Sequence, residues 1–349
     1  MNYRNNTKSI NVGGVLIGGD APVTVQSMTN TKTADVRATV EQIKRLTEAG
    51  CDIIRVTAPD MESAAAIKEI KKQITIPLVA DIHFDYRIAI ECIKNGADKI
   101  RLNPGNIGGE DRVRAVAEVA KERGVPIRIG VNSGSVGKDL IAKYGGPTTD
   151  AVLESAFTHI NMLYAVNFND IAVSLKTSNV VSTIDVYKKF ANVSDLPLHV
   201  GVTEAGTAWS GSIKSSVGIG SILSMGIGNT IRVSLTGDPV EEVRVGKQIL
   251  KSLELTEEGV NIISCPTCGR TNVDLVSVVT KVEDALKGCK KNITVAVMGC
   301  AVNGPGEARE ADYGVACGKG EGLLFKKGEI IKKVRESEIA SALVQMIQE

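Results

Sequence analysis

A (β/α)8 barrel of the TIM type followed by a small α/β domain is the fold the sequence predicts, and three observations carry the prediction. Eight short apolar runs recur at 23–28, 53–57, 78–83, 99–103, 127–132, 171–176, 198–203 and 230–235. Between and after them lie eight stretches with apolar spacing of three and four, at 36–49, 64–72, 87–95, 112–123, 151–166, 180–191, 213–225 and 240–253. Punctuation agrees with this alternation: Gly50, Gly96 and Gly124 close helices, while Pro77, Pro126 and Pro197 open strands, where a missing N–H costs least. Strict strand–helix alternation over about 230 residues is the pattern of a closed parallel barrel.

Residues 10–20 alternate around a Gly-Gly pair and read as a hairpin ahead of the barrel. After Leu255 the character changes. A short apolar strand ends at Cys265, and a helix (275–286), a strand (293–298), a glycine-rich loop, a hairpin and a last helix (338–347) follow. The expected domains are therefore 1–255, a substrate-binding barrel, and 256–349, a cluster-binding unit.

Composition narrows the partners. With 349 residues, 43% apolar content and a formal charge of +1, the chain gives no global reason for a nucleic-acid or membrane partner, so an anion site must come from local clustering. The first residues show no signal-peptide or transit pattern, and no apolar run approaches the roughly 18 residues of a membrane span. A cytoplasmic location is the expectation. Seven cysteines is an odd count, and Cys51 and Cys92 lie in apolar helix or strand contexts, which argues for packing in a reducing compartment rather than a disulfide framework.

Strand parity says which side chains face the barrel interior, because side chains alternate and the outward row must be apolar to meet the helices. The inward rows are polar: Arg55 and Thr57; Asp81 and His83; Lys99, Arg101 and Asn103; Arg128 and Asn132; Ser174 and Lys176; Arg232 and Ser234. Most lie toward the C-terminal ends of their strands, where such barrels build active sites. Arg55, Arg101, Arg128, Lys176 and Arg232 thus converge, and neighbouring cations repel by about 1 kcal/mol or more per pair at intermediate dielectric. A ligand with several negative charges, such as a diphosphate, is what five cations require, with Gly206 to Ser212 and Gly237-Asp238 offering further backbone donors. Any one arginine is explained by pairing with Asp81 or Glu204; all five cations together are not. Lys176 also fits a Schiff-base lysine, less well beside four arginines. Glu204 falls off the inward parity but ends its strand at the mouth, the place of a proton donor. His159 and His199 read as structural, and Gly218, Gly220, Gly226 and Gly228 as tight packing.

The C-terminal unit carries Cys265-Pro-Thr-Cys268-Gly-Arg270 and, later, Met298-Gly-Cys300-Ala-Val-Asn-Gly-Pro-Gly-Glu307. Two cysteines three apart can share one metal or cluster, and Cys300 lies too far along for a zinc ribbon. Three thiolates plus one weaker ligand result, the fourth being Glu307, Cys317 or Cys289. A structural zinc domain on a pterin-binding or aldolase-type barrel is the alternative. The barrel's last helix ends at its bottom while the cations lie at its top. A linker of about ten residues reaches at most about 35 Å, so the second unit serves a mouth most simply from another chain of a two-fold dimer.

Taken together, Val25 to Thr31, Ala80-Asp81-Ile82-His83-Phe84, Arg101 to Asn106, Gly130 to Ser135, Thr203-Glu204-Ala205-Gly206, Ser264 to Arg270 and Gly299 to Glu307 resemble the bacterial 4-hydroxy-3-methylbut-2-enyl diphosphate synthases, in the compact form without an inserted middle domain. The resemblance runs through both domains. It implies a [4Fe-4S] cluster on Cys265, Cys268 and Cys300 with Glu307 as fourth ligand. It also implies a cyclic diphosphate substrate, 2-C-methyl-D-erythritol 2,4-cyclodiphosphate, opened and reductively dehydroxylated with two electrons from flavodoxin or ferredoxin. Substrate would be held by Arg55, Arg101, Asn103, Arg128, Lys176, Arg232 and Ser234, with Glu204, Asp81, His83 and Asn132 positioning and protonating. In the family the cluster domain of one subunit caps the barrel of its partner in a homodimer. Cys289 and Cys317 match no ligand in the pattern.

Overall fold

The computed structural model describes residues 3–177, 179–256, 259–289, 291–300 and 310–349, and the chain divides into two compact units, Met1–Thr256 and Glu257–Glu349. In the first, a hairpin of β1 (Ile10–Val12) and β2 (Val15–Ile17) precedes eight parallel strands. These are β3 (Thr24–Met28), β4 (Ile53–Thr57), β5 (Leu78–Asp81), β6 (Lys99–Leu102), β7 (Ile127–Asn132), β8 (Ile171–Lys176), β9 (His199–Val200) and β10 (Thr230–Ile231). They pair in the order β8-β7-β6-β5-β4-β3-β10-β9. A bridge from Val173 to Leu198 joins the two ends, so the ring nearly closes.

The outward row, including Ile54, Val56, Ala80, Ile100, Ile129 and Val173, is buried against the surrounding helices. These are α1 (Val36–Glu48), α2 (Met61–Lys71), α3 (Tyr86–Lys94), α4 (Pro104–Ile107), α5 (Glu110–Arg123), α6 (Lys138–Tyr144), α7 (Thr149–Ala165), α8 (Val180–Ala191), α9 (Ala208–Ser224) and α10 (Pro239–Ser252). Several helices start earlier than apolar spacing alone suggests, because polar caps fix their first turns. Asp60 accepts from the Ser63 amide at 2.8 Å and Thr148 from Ala151 at 3.2 Å. At the bottom of the barrel the inward side chains Ile53, Val79 and Ala172 pack on Ile10, Val12 and Ile17 of the hairpin, which plugs the floor. Each such aliphatic side chain contributes about 1.5–3 kcal/mol by leaving water.

The last two barrel strands are shorter than expected. Runs 198–203 and 230–235 keep ladder geometry only at His199–Val200 and Thr230–Ile231. Beyond Val200 the chain bends through Glu204, whose φ of 52° lies in the left-handed region that costs a non-glycine residue energy. Gly218 and Gly228 are tight-packing positions, since an added Cβ would come within 2.6 Å of Val202 and of Val200 respectively; Gly220 is not, having nothing within 4 Å.

In the second unit a five-stranded sheet runs β11 (Val260–Ser264), β12 (Ile293–Met298), β13 (Tyr313–Gly318), β14 (Glu321–Lys326) and β15 (Glu329–Arg335) in sequence order. The first three are parallel and the last two antiparallel. Helices α11 (Leu275–Ala285) and α12 (Ile339–Gln348) cover one face, burying Val278, Val282, Leu343 and Ile347 against Val295, Val297 and Val315. The expected hairpin is thus two antiparallel strands added to a parallel core.

Candidate active site and candidate cluster site

Two residues along from the apolar floor the barrel interior turns cationic. Arg55, Asp81, Asn103, Arg128 and Lys176 are all buried. Asp81 holds two of the arginines: Arg55 Nε stands 3.5 Å from one carboxylate oxygen and Arg101 Nη1 3.1 Å from the other. Arg101 also donates to the Gly130 carbonyl at 2.8 Å, and Arg128 donates to the Ser174 hydroxyl at 2.6 Å. Asn103 accepts from the Gly130 amide at 3.0 Å, tying β6 to β7. Two inward glycines make room for these long side chains. A Cβ at Gly130 would come within 2.4 Å of Arg101 Nε, and one at Gly201 within 2.8 Å of Lys176 Nζ.

Among the described residues the charge here is not balanced. Arg128 Nε and Nη2, Arg232 Nε, Lys99 Nζ, both ring nitrogens of His199 and both amide atoms of Gln26 have no hydrogen-bond partner among the described residues. Most buried polar groups are paired, so such a concentration marks a place built for something else. Burial, and then the neighbouring Arg232, Arg128, Arg55 and Arg101, pushes the Lys176 ammonium well below its usual range. Burial likewise lowers Arg128, helped by Arg55 and Arg101. At Asp81 burial pulls upward, but Arg55, Arg101 and Arg128 together outweigh it and hold the carboxyl below the ordinary range. His199, fully buried among cations, is held neutral by burial first and Arg128 next.

Around this ring the remaining predicted residues take distinct places. Glu204 is exposed, on the strained turn after β9. His83 is exposed just beyond β5, its ring 6.0 Å from that of Phe84. Asn132 ends β7 and caps the 3-10 turn Ser133–Ser135, whose Ser135 hydroxyl donates back to the Asn132 carbonyl at 2.9 Å. Ser234 is half-buried past β10. Sequence reasoning missed Glu242, a buried carboxylate of α10. It lies 3.3 Å from Arg232 Nη2 and accepts from the Leu235 amide at 2.9 Å. Its spacing with Pro239, Gly246 and Ile249 on the core face of that helix was the available signal. The segment at Gly206 to Ser212 leads into α9, whose first turn begins at Ala208 with no side-chain cap bond from Thr207. Asp238, by contrast, caps α10 and pairs with Arg45 at 2.6 Å, which places a carboxylate where an anion was expected to bind.

In the second unit Cys265 follows β11 and Cys300 follows β12, and the parallel register of Ser264 with Val297 aligns those strand ends. Cys265 Sγ accepts from the Gly299 amide at 3.1 Å. Cys268 is exposed, and the Arg270 amide and then its guanidinium hydrogen-bond its thiol and hold it below the ordinary thiol range. Arg270 in turn feels Cys268, Cys300 and Cys265, so one cation serves all three sulfurs. This donor set, soft thiolates with amide and guanidinium hydrogen bonds, suits an iron–sulfur group. Among the described residues no three His, Cys, Asp or Glu groups form a ready metal site, and Glu307 lies outside the described residues. Cys317 is buried in the core, its thiol pushed up to about 11 by burial and then by Cys265, and Cys289 is half-buried at the same core. Among the described residues no helix is long and apolar enough to cross a membrane.

Residues 7–247 match the GcpE TIM-barrel domain and residues 261–349 the GcpE protein C-terminal domain. The chain is 62% identical to 4-hydroxy-3-methylbut-2-en-1-yl diphosphate synthase (flavodoxin) of Ruminiclostridium cellulolyticum, over 99% of this chain and 98% of the relative. It is 58% identical to the protein of the same description from Clostridium perfringens, over 99% of each. Among solved structures, dihydropteroate synthase of Yersinia pestis is similar with a TM-score of 0.53 at 14% identity, over 70% of this chain and 97% of that one. Type I 3-dehydroquinate dehydratase of Clostridium difficile gives 0.52 at 12%, over 71% and 98%. Those two likenesses speak to the barrel fold alone.

Proposed function

Since the chain belongs to the GcpE family of 4-hydroxy-3-methylbut-2-en-1-yl diphosphate synthases, we propose that its barrel mouth grips the substrate's diphosphate and its second unit holds the redox centre. The protein is an oxidoreductase of isoprenoid precursor biosynthesis. It converts 2-C-methyl-D-erythritol 2,4-cyclodiphosphate to 4-hydroxy-3-methylbut-2-enyl diphosphate. The ring is opened and a hydroxyl leaves as water, at the expense of two electrons and a proton.

The observation that carries the assignment of roles is the set of buried cation nitrogens without partners at Arg128 and Arg232, beside Lys176. Bidentate guanidinium groups match phosphate oxygens, and an anion there satisfies donors that the protein leaves unpaired. Arg55 and Arg101, locked by Asp81, present their remaining N–H groups in fixed orientation, which supplies binding without further ordering. Asn103 and Ser234 add neutral donors. His83 and Asn132 stand at the ends of their strands to orient the carbon skeleton. Glu204 is the exposed carboxyl placed to give the proton that the departing hydroxyl takes up as water.

Members of this family are iron–sulfur enzymes. In this chain Cys265, Cys268 and Cys300, with Glu307, would hold a [4Fe-4S] cluster, the barrel 1–255 serving as substrate domain and 256–349 as cluster domain. Bound there, the cluster supplies single electrons and an iron that can take an oxygen ligand. Three soft ligands and one hard carboxylate leave that iron exchangeable. Arg270 hydrogen-bonds the Cys268 sulfur and the Gly299 amide donates to that of Cys265. Flavodoxin, named with the relatives, is the proposed donor, and a homodimer in which each cluster domain caps the partner's barrel is the proposed assembly. The chain topology supports it, since α10 returns the chain to the end of the barrel opposite the mouth.

Anaerobic turnover of the cyclic diphosphate with dithionite and a viologen tests the reading. Wild type turns over and Cys265→Ser loses activity by orders of magnitude; unchanged turnover in that variant would overturn the cluster assignment.

A further inference from the structure

We infer that Lys99 is a proton-linked anchor for ligand charge: its ammonium forms when a diphosphate seats on Arg55 and Arg128, so that substrate binding draws a proton from solution. This rests on the diphosphate occupying the cationic ring.

The argument begins with position. Lys99 opens β6 and pairs with Val79 of β5, which in turn pairs with Arg55 of β4, placing the lysine one strand period below Arg101. It is fully buried, and its Nζ has no hydrogen-bond partner among the described residues. The charged and titratable groups of the interior are Arg55 on β4, Asp81 on β5, Arg101 on its own strand, Arg128 on β7, Lys176 on β8, His199 on β9 and Arg232 beyond β10; β3 contributes the neutral Thr24, Gln26 and Met28, whose sulfur accepts from Arg55 Nη2 at 2.9 Å. Among the described residues, the two carboxylates beside these cations, Asp81 and Glu242, are committed. Asp81 is held by Arg55 and Arg101, and Glu242 by Arg232 and the Leu235 amide.

A buried ammonium with cations around it and no counter-ion is disfavoured, whereas a neutral amine is tolerated. Burial first, then Arg128 and Arg55, lowers Lys99 to about 7. The two arginines that repel its proton are among those the ligand would neutralise. In the cyclic diphosphate each phosphorus carries an ester oxygen, the bridging oxygen and one ionised oxygen, so the ligand's own charge is constant near neutral pH. With that charge seated, the repulsion from Arg55 and Arg128 is offset and the amine's proton affinity rises. The sign follows: the lysine's contribution to affinity is fully present below the empty-state value and is lost as pH rises through the higher, bound-state value. Across that window affinity falls by up to about tenfold per pH unit.

The test is calorimetric titration of the oxidised holoenzyme with the cyclic diphosphate, without reductant so that no turnover occurs, at about pH 8 in two buffers of different ionisation enthalpy. Wild type is expected to take up at least one proton, Lys176 being lowered by the same arginines. Lys99→Met, which cannot be protonated, and Lys99→Arg, which is charged throughout, are each expected to take up close to one proton fewer than wild type and to bind with an affinity that falls less steeply with pH. Identical binding heats in the two buffers for wild type would overturn the inference. So would unchanged proton uptake in either variant, which would put the proton on Lys176 or His199. Should Lys99→Met fail to fold, wild type and Lys99→Arg decide the matter. No binding by wild type at any pH would instead refute the ligand assignment of the ring, and this inference with it.

Discussion

The floor and the mouth of the barrel are built on the same strands, two residues apart. Ile53, Val79 and Ala172 face the hairpin plug; Arg55, Asp81 and Ser174 follow them on β4, β5 and β8, facing the same interior. At the floor, side chains meet apolar partners and burial stabilises the fold. At the mouth, guanidinium and amine nitrogens are buried without partners among the described residues. One strand period therefore separates residues that hold the fold together from residues whose burial costs stability and is offset only by a ligand. That is the pattern expected where a site departs from the rules of a well-packed core.

The comparison breaks most sharply at Asp81, the mouth residue that does act as structure. Asp81→Asn removes the carboxylate between Arg55 and Arg101 and leaves both cations uncompensated, so urea unfolding at neutral pH is expected to show a loss of about 3–5 kcal/mol. Because the folded carboxyl titrates below its unfolded value, the wild-type advantage is complete above about pH 4 and disappears as pH falls through the folded value. A smaller effect, of the opposite kind, belongs to the floor. Ile53→Ala should cost about 3 kcal/mol in unfolding experiments and leave KM for the cyclic diphosphate unchanged, since it opens a cavity beside the plug and touches no polar group. Smallest is Gly201→Ala. Its Cβ would crowd Lys176 Nζ at 2.8 Å and the Arg232 carbonyl at 2.6 Å. Displacing one charge-assisted contact is expected to raise KM by about tenfold.

Much of this was legible in the sequence because the strand period is two. Arg55, Arg101, Arg128 and Lys176 share inward parity with unmistakably apolar neighbours; Arg55, Arg128 and Lys176 are buried in the barrel and Arg101 is half-buried. What parity could not supply was the second layer. Glu242 reaches Arg232 from a helix, so strand counting could not find it, although its place on the apolar face of α10 was a signal. Lys99 faces inward by the same parity, yet nothing in the sequence said that its amine would lack a partner; that depends on Asp81 being taken by Arg55 and Arg101. The short β9 was hidden for a different reason: Leu198 to Thr203 is apolar enough for a strand, but the turn at Glu204 pulls the chain out of the ladder. In the second unit the Cys265-to-Cys268 spacing was plain. That Cys300 follows a strand end level with the one before Cys265 depends on the parallel pairing of β11 and β12, a tertiary fact.

The most direct measurement compares thermal unfolding of wild type and Arg128→Met, each with and without saturating cyclic diphosphate. An arginine buried for a ligand and not for the fold should be dispensable to the empty protein. The variant is therefore expected to melt at or above the wild-type temperature without ligand and to lose most of the stabilisation that ligand gives wild type. A variant that melts lower on its own yet gains as much from the diphosphate as wild type would contradict the account.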